Sequence, residues 1–287
     1  MANFVLQEAE KVYIVHGIQE NLRGDGRNNM DYRMIEIETG VIPNSCGSAI
    51  IKIGDTKLLA GVSAEIKAPL AQAPNRGWIE VSIESTPHAN SDFEKKSGSE
   101  FGIDVTQVLN QICNYENLVN LRSLCVIPGQ QVMVLYVDIM VLGYDGNLMD
   151  AASIVTKAAL YDTKLQSFIV KKDGDNEPEV EFTDDEYDVF SVDVTNLPVL
   201  VTLFRIGSEF IVDATGDEEA CNKCKLLLAI SSAEIVMMKE MGGPGSLHIE
   251  SIHDVIEVSQ NMGLQLQRQL MDILKSERNN AEKVIFL

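Results

Sequence analysis

Hydrophobic and polar positions divide this chain into short strands and helices. Residues 6–20, LQEAEKVYIVHGIQE, place Leu6, Ala9, Val12 and Tyr13 at helical spacing and predict an amphipathic helix. The loop RGDGRNNMDYR, residues 23–33, is dense in turn formers. Residues 34–39 alternate as a strand, and Ile50 to Ile66 read as a hairpin turning at Gly54-Asp55. WIEVSIE (78–84) alternates again, Pro87 to Ser99 is polar, and 100–116 reads as helical. A second block repeats the order, with a strand over 131–142 and a helix over 150–162. After the acidic run at 173–188 come two strands, LPVLVTLFRIG and SEFIVDAT. The pattern then predicts a long helix over 217–240, with Asp217, Glu218 and Glu219 in its first turn and Gly242-Gly243-Pro244-Gly245 as its stop. A last helix over about 248–276 closes the chain.

Strands in groups followed by helices predict α+β layers, and the similar order of the two blocks predicts an internal pseudo-repeat. The divisions expected are an N-terminal helix and loop (1–30), a first subdomain (31–170), an acidic connection (171–193) and a second subdomain with the C-terminal helix (194–287). The acidic connection reads as a partly ordered excursion.

Charge narrows the function. With 23 basic against 43 acidic residues and a net charge of −20, the chain is a poor candidate for a free-standing nucleic-acid binder. If it meets RNA, a partner is expected to supply most of the positive field. No run approaches the roughly 18–20 apolar residues of a membrane helix. The N-terminal MANFVLQEAEKVYIVHG lacks the uninterrupted apolar core of a secretory signal. Five scattered cysteines (Cys46, Cys113, Cys125, Cys221 and Cys224) read as reduced thiols of a cytosolic or nuclear protein.

The stretch 130–164 carries the most information. An alternating strand runs into Asp145-Gly146 and then a small-residue helix, which is a common way to build an anion site. Yet the turn carries Leu148, Met149 and Asp150, where an anion needs an arginine, a hydroxyl and free amides. Asp150 is expected to cap the helix and to repel a phosphate. Cys221-x-x-Cys224 falls in the predicted helix, with no second pair to complete a zinc site, and is expected to pack as core. His248 and His253 are five apart and fall on different helical faces, while His16 and His88 are isolated. The acidic run lacks calcium-loop spacing. Lys95 and Lys96, in a polar loop, and Arg122 are at most weak RNA contacts. Arg23, Arg27 and Arg33 lie between acidic residues and fit an Arg–Asp network or an interface. No cofactor site is implied.

RGDGRNNMDYR, the strand-turn-helix from Val132 to Lys164, and VLVTLFRIG followed by VDAT before an acid-led helix together resemble the RNase PH superfamily, in its exosome branch. The resemblance runs in order over about residues 5–275. It implies the RNase PH-like α+β fold, with two related βα subdomains whose sheets pack against helices. It implies a hexameric ring of related subunits, caps with S1 and KH domains, a catalytic exosome ribonuclease as partner, and RNA threading the channel. It implies residence in nucleus, nucleolus and cytoplasm. Active relatives cleave RNA by phosphorolysis and carry Gly-(Ser/Thr)-Arg after the turn. Leu148 and Met149 stand at the hydroxyl and arginine positions. Phe190 and Asn196 stand at two family aspartates, with Asp193 between them, and Gln111 and Asn114 stand where arginines assist. The resemblance therefore implies a non-catalytic ring subunit supporting 3′-to-5′ RNA processing, including rRNA maturation and mRNA decay. The alternatives are a phosphorolytic exoribonuclease active only with a partner, and an RNA-binding adaptor.

Overall fold

The computed structural model describes residues 6–85, 98–115, 118–171, 179–183, 185, 188–231, 234–241 and 249–284. The first layer begins with α1 (Glu8–Gln19), then β1 (Ile35–Thr39), β2 (Gly47–Ile53), β3 (Thr56–Lys67) and β4 (Trp78–Ser85). Helix α2 (Gly98–Cys113) precedes β5 (Cys125–Ile127), β6 (Gln131–Gly143) and α3 (Leu148–Asp162). The sheet runs β1-β2-β3-β6-β4, with β5 also on β6. Only β4 lies parallel to its neighbour; the other pairs are antiparallel. The predicted hairpin is present, with Gly54 at φ 57° in its turn.

Short strands β7 (Leu165–Gln166), β8 (Phe168–Lys171), β9 (Glu179–Phe182) and β10 (Val189–Phe190) form two small ribbons. The β8–β9 ribbon takes in part of the acidic run. The second layer holds β11 (Val199–Ile206), β12 (Glu209–Val212), α4 (Gly216–Ala220), β13 (Cys224–Ser231), β14 (Glu234–Met241) and α5 (Ile249–Val284). Its sheet is antiparallel, in the order β12-β11-β13-β14.

Helix α3 joins the two layers. Its residues 148–160 are all buried, and it packs on β2 and β3 of one sheet and on β11 of the other. A helix covered on every side needs small residues where its neighbours approach closely, and partners for any polar group it buries. Ala151, Ala152, Ser153, Ala158 and Ala159 meet the first need. The approach is close: a Cβ on Gly47 of β2 would stand 2.7 Å from the Ala159 carbonyl oxygen.

One expectation fails here. The long helix over 217–240 is instead the one-turn α4 followed by the β13–β14 hairpin. An apolar run such as LLLAI fits a buried strand as well as a buried helix, and periodicity cannot separate them. Strand β13 is central, and its side chains alternate between two cores. Leu226, Leu228 and Ile230 join one, while Leu227 and Ala229 join the other. Cys221 therefore ends α4 while Cys224 opens β13. The C-terminal helix also runs further than the pattern predicts, to Val284. The predicted N-terminal helix forms, as α1, and the structure adds its orientation. Its buried side is Ile14, Val15 and Ile18, packed with Phe204, Ile206 and Ile211. The predicted apolar stripe faces out, with Val12 63% and Tyr13 73% exposed.

Candidate active site

The Asp145-Gly146-Asn147 turn is built by backbone that few residues tolerate. Gly146 sits at φ 80° and Asn147 at φ 56°. A Cβ on Gly146 would stand 2.3 Å from the Ala214 carbonyl oxygen, so only glycine fits. Asn147 enters the left-handed region more readily than most residues and starts α3. The Thr56 hydroxyl closes the turn, donating to the Gly146 carbonyl (2.7 Å) and accepting from the Asp145 amide (3.0 Å).

A strand-to-helix turn of this kind aims N–H groups at an anion. Here the anions belong to the protein. The Asn147 amide donates to Glu219 Oε1 at 2.9 Å, and Asn147 Nδ2 donates to Asp213 Oδ1 at 2.8 Å. Glu219 also accepts from the Tyr144 hydroxyl (2.7 Å) and lies 3.4 Å from Lys225 Nζ.

Two arginines of the 23–33 loop also bind Asp213, and the third binds Glu218. Arg33 pairs with Asp213 through Nε and Nη2, and reaches the Asp145 carbonyl at 2.7 Å. Arg27 bonds Asp25 and Asp213. Arg23 forks onto Glu218 and donates to the carbonyls of Val212 and Asp213. Burial alone would raise the Asp213 pKa, but the Arg33 hydrogen bonds and charge outweigh it and hold the carboxyl below its ordinary range. Burial also raises Asp145, against the Gly216 amide and Arg33.

Leu148 and Met149 are core residues. Asp150 departs from its expected role as a cap. Its side chain is fully buried and accepts from the hydroxyls of Tyr32 (2.8 Å) and Thr202 (2.6 Å). The cap position itself is Asn147, whose side chain makes no cap bond. Asp150 is the third residue of α3, where the helix already faces β11, so its carboxyl is carried inward toward Thr202. Burial pushes its pKa up to about 7, against the two hydroxyl hydrogen bonds.

The other site residues are scattered over the fold. Phe190 lies in the β10–β7 ribbon, its ring edge-on to Phe168 at 6.3 Å. Asn196 sits in the turn before β11 and accepts from the Ser231 hydroxyl at 2.6 Å through its carbonyl. Asp193 is exposed and is held below its ordinary pKa first by bonding to Thr195. Arg122 is exposed on the short 3-10 turn Leu121–Leu124. Gln111 is exposed, while Asn114 bonds strand β4. Lys95, Lys96, His88 and His248 lie outside the described residues. Among the described residues, no group of three His, Cys, Asp or Glu could hold a metal ion.

Sequence reasoning missed Asp213 and Glu219 as the groups occupying the turn. One signal was available, the Thr215-x-x-Glu218 capping box that opens α4 and sets its acidic residues in place.

Residues 31–166 match domain 1 of the 3′ exoribonuclease family named RNase PH, and residues 196–262 match its domain 2. The chain belongs to the RNase PH family of 3′ exoribonucleases. It is 31% identical over 267 residues to the exosome complex component Rrp42 of Thermococcus kodakarensis, spanning 93% of this chain and 96% of the relative. It is 33% identical over 274 residues to Rrp42 of Sulfurisphaera tokodaii, spanning 94% of each. A chain of the Archaeoglobus fulgidus exosome with RNA bound to the active site superposes with a TM-score of 0.77 at 28% identity, over 91% of this chain and 98% of that one. An archaeal exosome core chain gives 0.75 at 27%, over 92% and 97%. The fold is thus the RNase PH-like α+β fold that the motifs implied.

Proposed function

We propose that this chain is a non-catalytic subunit of an exosome ring, of the Rrp42 type. It would work beside other RNase PH-like subunits, S1/KH caps and a catalytic ribonuclease. In this role it builds the ring and its RNA channel, and it supports 3′-to-5′ RNA processing and degradation in nucleus, nucleolus and cytoplasm. The observation that carries the proposal is the turn amide of Asn147 bonded to Glu219, with Leu148 and Met149 in the core beside it. An attacking phosphate needs donors that no other group holds, and a charged clamp worth orders of magnitude in rate. Here the neighbouring carboxylates take the donor and repel a second anion.

Co-expression with related ring subunits tests the first half. The expected result is one stoichiometric, salt-stable assembly; a chain that stays apart contradicts it. Single-stranded RNA and phosphate test the second half. Any release of nucleoside diphosphates should be unchanged by Asp193→Asn. Activity lost in that variant would favour the phosphorolytic enzyme.

A further inference from the structure

We propose that the outward face of α1 is a docking surface for a basic, apolar-anchored segment of another subunit, an inference that rests on the assembly just proposed. The helix is apolar on two sides, and the described residues cover one of them. Ile14, Val15 and Ile18 are the covered side. Ala9, Val12 and Tyr13 form the other, at the i, i+3, i+4 spacing of a helix-in-groove contact. Leu22 turns back beside them, its amide bonded to the Gly17 carbonyl, and is 64% exposed. Three large apolar side chains on one patch mark a surface made to be covered. Tyrosine is also among the residues that dominate binding energy.

The shape and charge of the patch define the occupant. These residues line a groove of about 1260 Å³ between α1, the loop at 23–26 and the start of α4. Its walls carry the exposed carboxylates Glu10, Glu20, Asp25 and Asp217. The lining arginine, Arg23, is buried and held by Glu218, so its charge is spent inside the fold. His16 is the exposed basic group of that face. An apolar strip between acidic walls selects a segment with apolar anchors between lysines or arginines, and it rejects an acidic one.

The test uses the full chain with benzoylphenylalanine at position 13, assembled with its ring and cap subunits and irradiated. The expected cross-link joins position 13 to a segment of another subunit that carries lysine or arginine around apolar residues. Val12→Ser/Tyr13→Ser should melt like wild type, because both side chains face solvent, yet weaken association at least tenfold. Glu20→Lys/Asp217→Lys should weaken it too, most at low salt. An assembly that forms with undiminished affinity in the double variant and without a cross-link would overturn the inference, as would a cross-linked acidic segment. Failure of the wild-type chain to assemble at all would instead defeat the ring proposal, and this inference with it.

Discussion

Arg33 and Asp213 meet through two parallel hydrogen bonds, Nε to Oδ2 at 2.9 Å and Nη2 to Oδ1 at 2.8 Å. The pair ties the loop before β1 to the end of β12, and so the first layer to the second. Breaking a buried pair on one side strands the remaining charge. Breaking such a pair typically costs about 3–5 kcal/mol, and Arg33→Met should fall at the low end because Arg27 and Asn147 still bond Asp213. The sign with pH follows from the depressed Asp213 pKa. Its contribution is present above the ordinary value of 3.8 and is lost as pH falls through the lower folded value. Urea titrations at pH 7 and pH 3 check both points: the gap between wild type and Arg33→Met should shrink in acid.

Asp150 should impose the opposite slope. Its folded pKa is about 7, raised by burial from 3.8, so the folded state holds a proton that the unfolded state has released. Stability then falls as pH rises between those values, by up to about 1.4 kcal/mol per pH unit from this group. Asp150→Asn keeps the shape and should flatten that segment of the profile. A slope from pH 5 to 7 unchanged by the substitution would refute the account of Asp150.

Lys157 titrates higher. Its amino group donates to the carbonyls of Thr195 and Leu197, and burial lowers its pKa to about 8, against the pull of Asp193. Between pH 8 and the ordinary 10.5 the unfolded chain holds a proton that the folded chain lacks, so stability rises with pH there. Thermal melts should show that rise in the wild type and lose it in Lys157→Met.

Two asparagines seal an open sheet edge. Asn110 bonds both the N–H and the C=O of Val81, and Asn114 does the same for Ile79. They are four residues apart, Asn110 in the last turn of α2 and Asn114 just past its end, beside the edge strand β4. Each alanine substitution orphans two backbone groups and should cost about 1–3 kcal/mol. Light scattering should also detect association through the freed edge in the double variant.

Much of this was legible in the residues. The hairpin, the β6-turn-α3 unit and the last helix followed from alternation, turn formers and helical spacing. The β13–β14 hairpin was not legible, because a strand buried on both faces has no alternation to read. The sequence joining the two strands, Ser231 to Glu234, also holds no glycine or proline to signal a break. Nor was the outward turn of α1 legible: with apolar residues on two sides, spacing alone does not say which side the core takes. At the site, the sequence showed what Leu148 and Met149 cannot do. It did not show that Glu219, seventy-two residues from Asn147, fills the turn, because long-range pairing leaves no local pattern.

The central claim is that this turn is filled by the protein's own carboxylates and does not hold phosphate. Amide NMR of residues 145–150 during titration with inorganic phosphate tests it most directly. The account predicts no saturable shift in those amides, in the isolated chain and in its assembly. Saturable shifts of Gly146, Asn147 and Leu148 would contradict it.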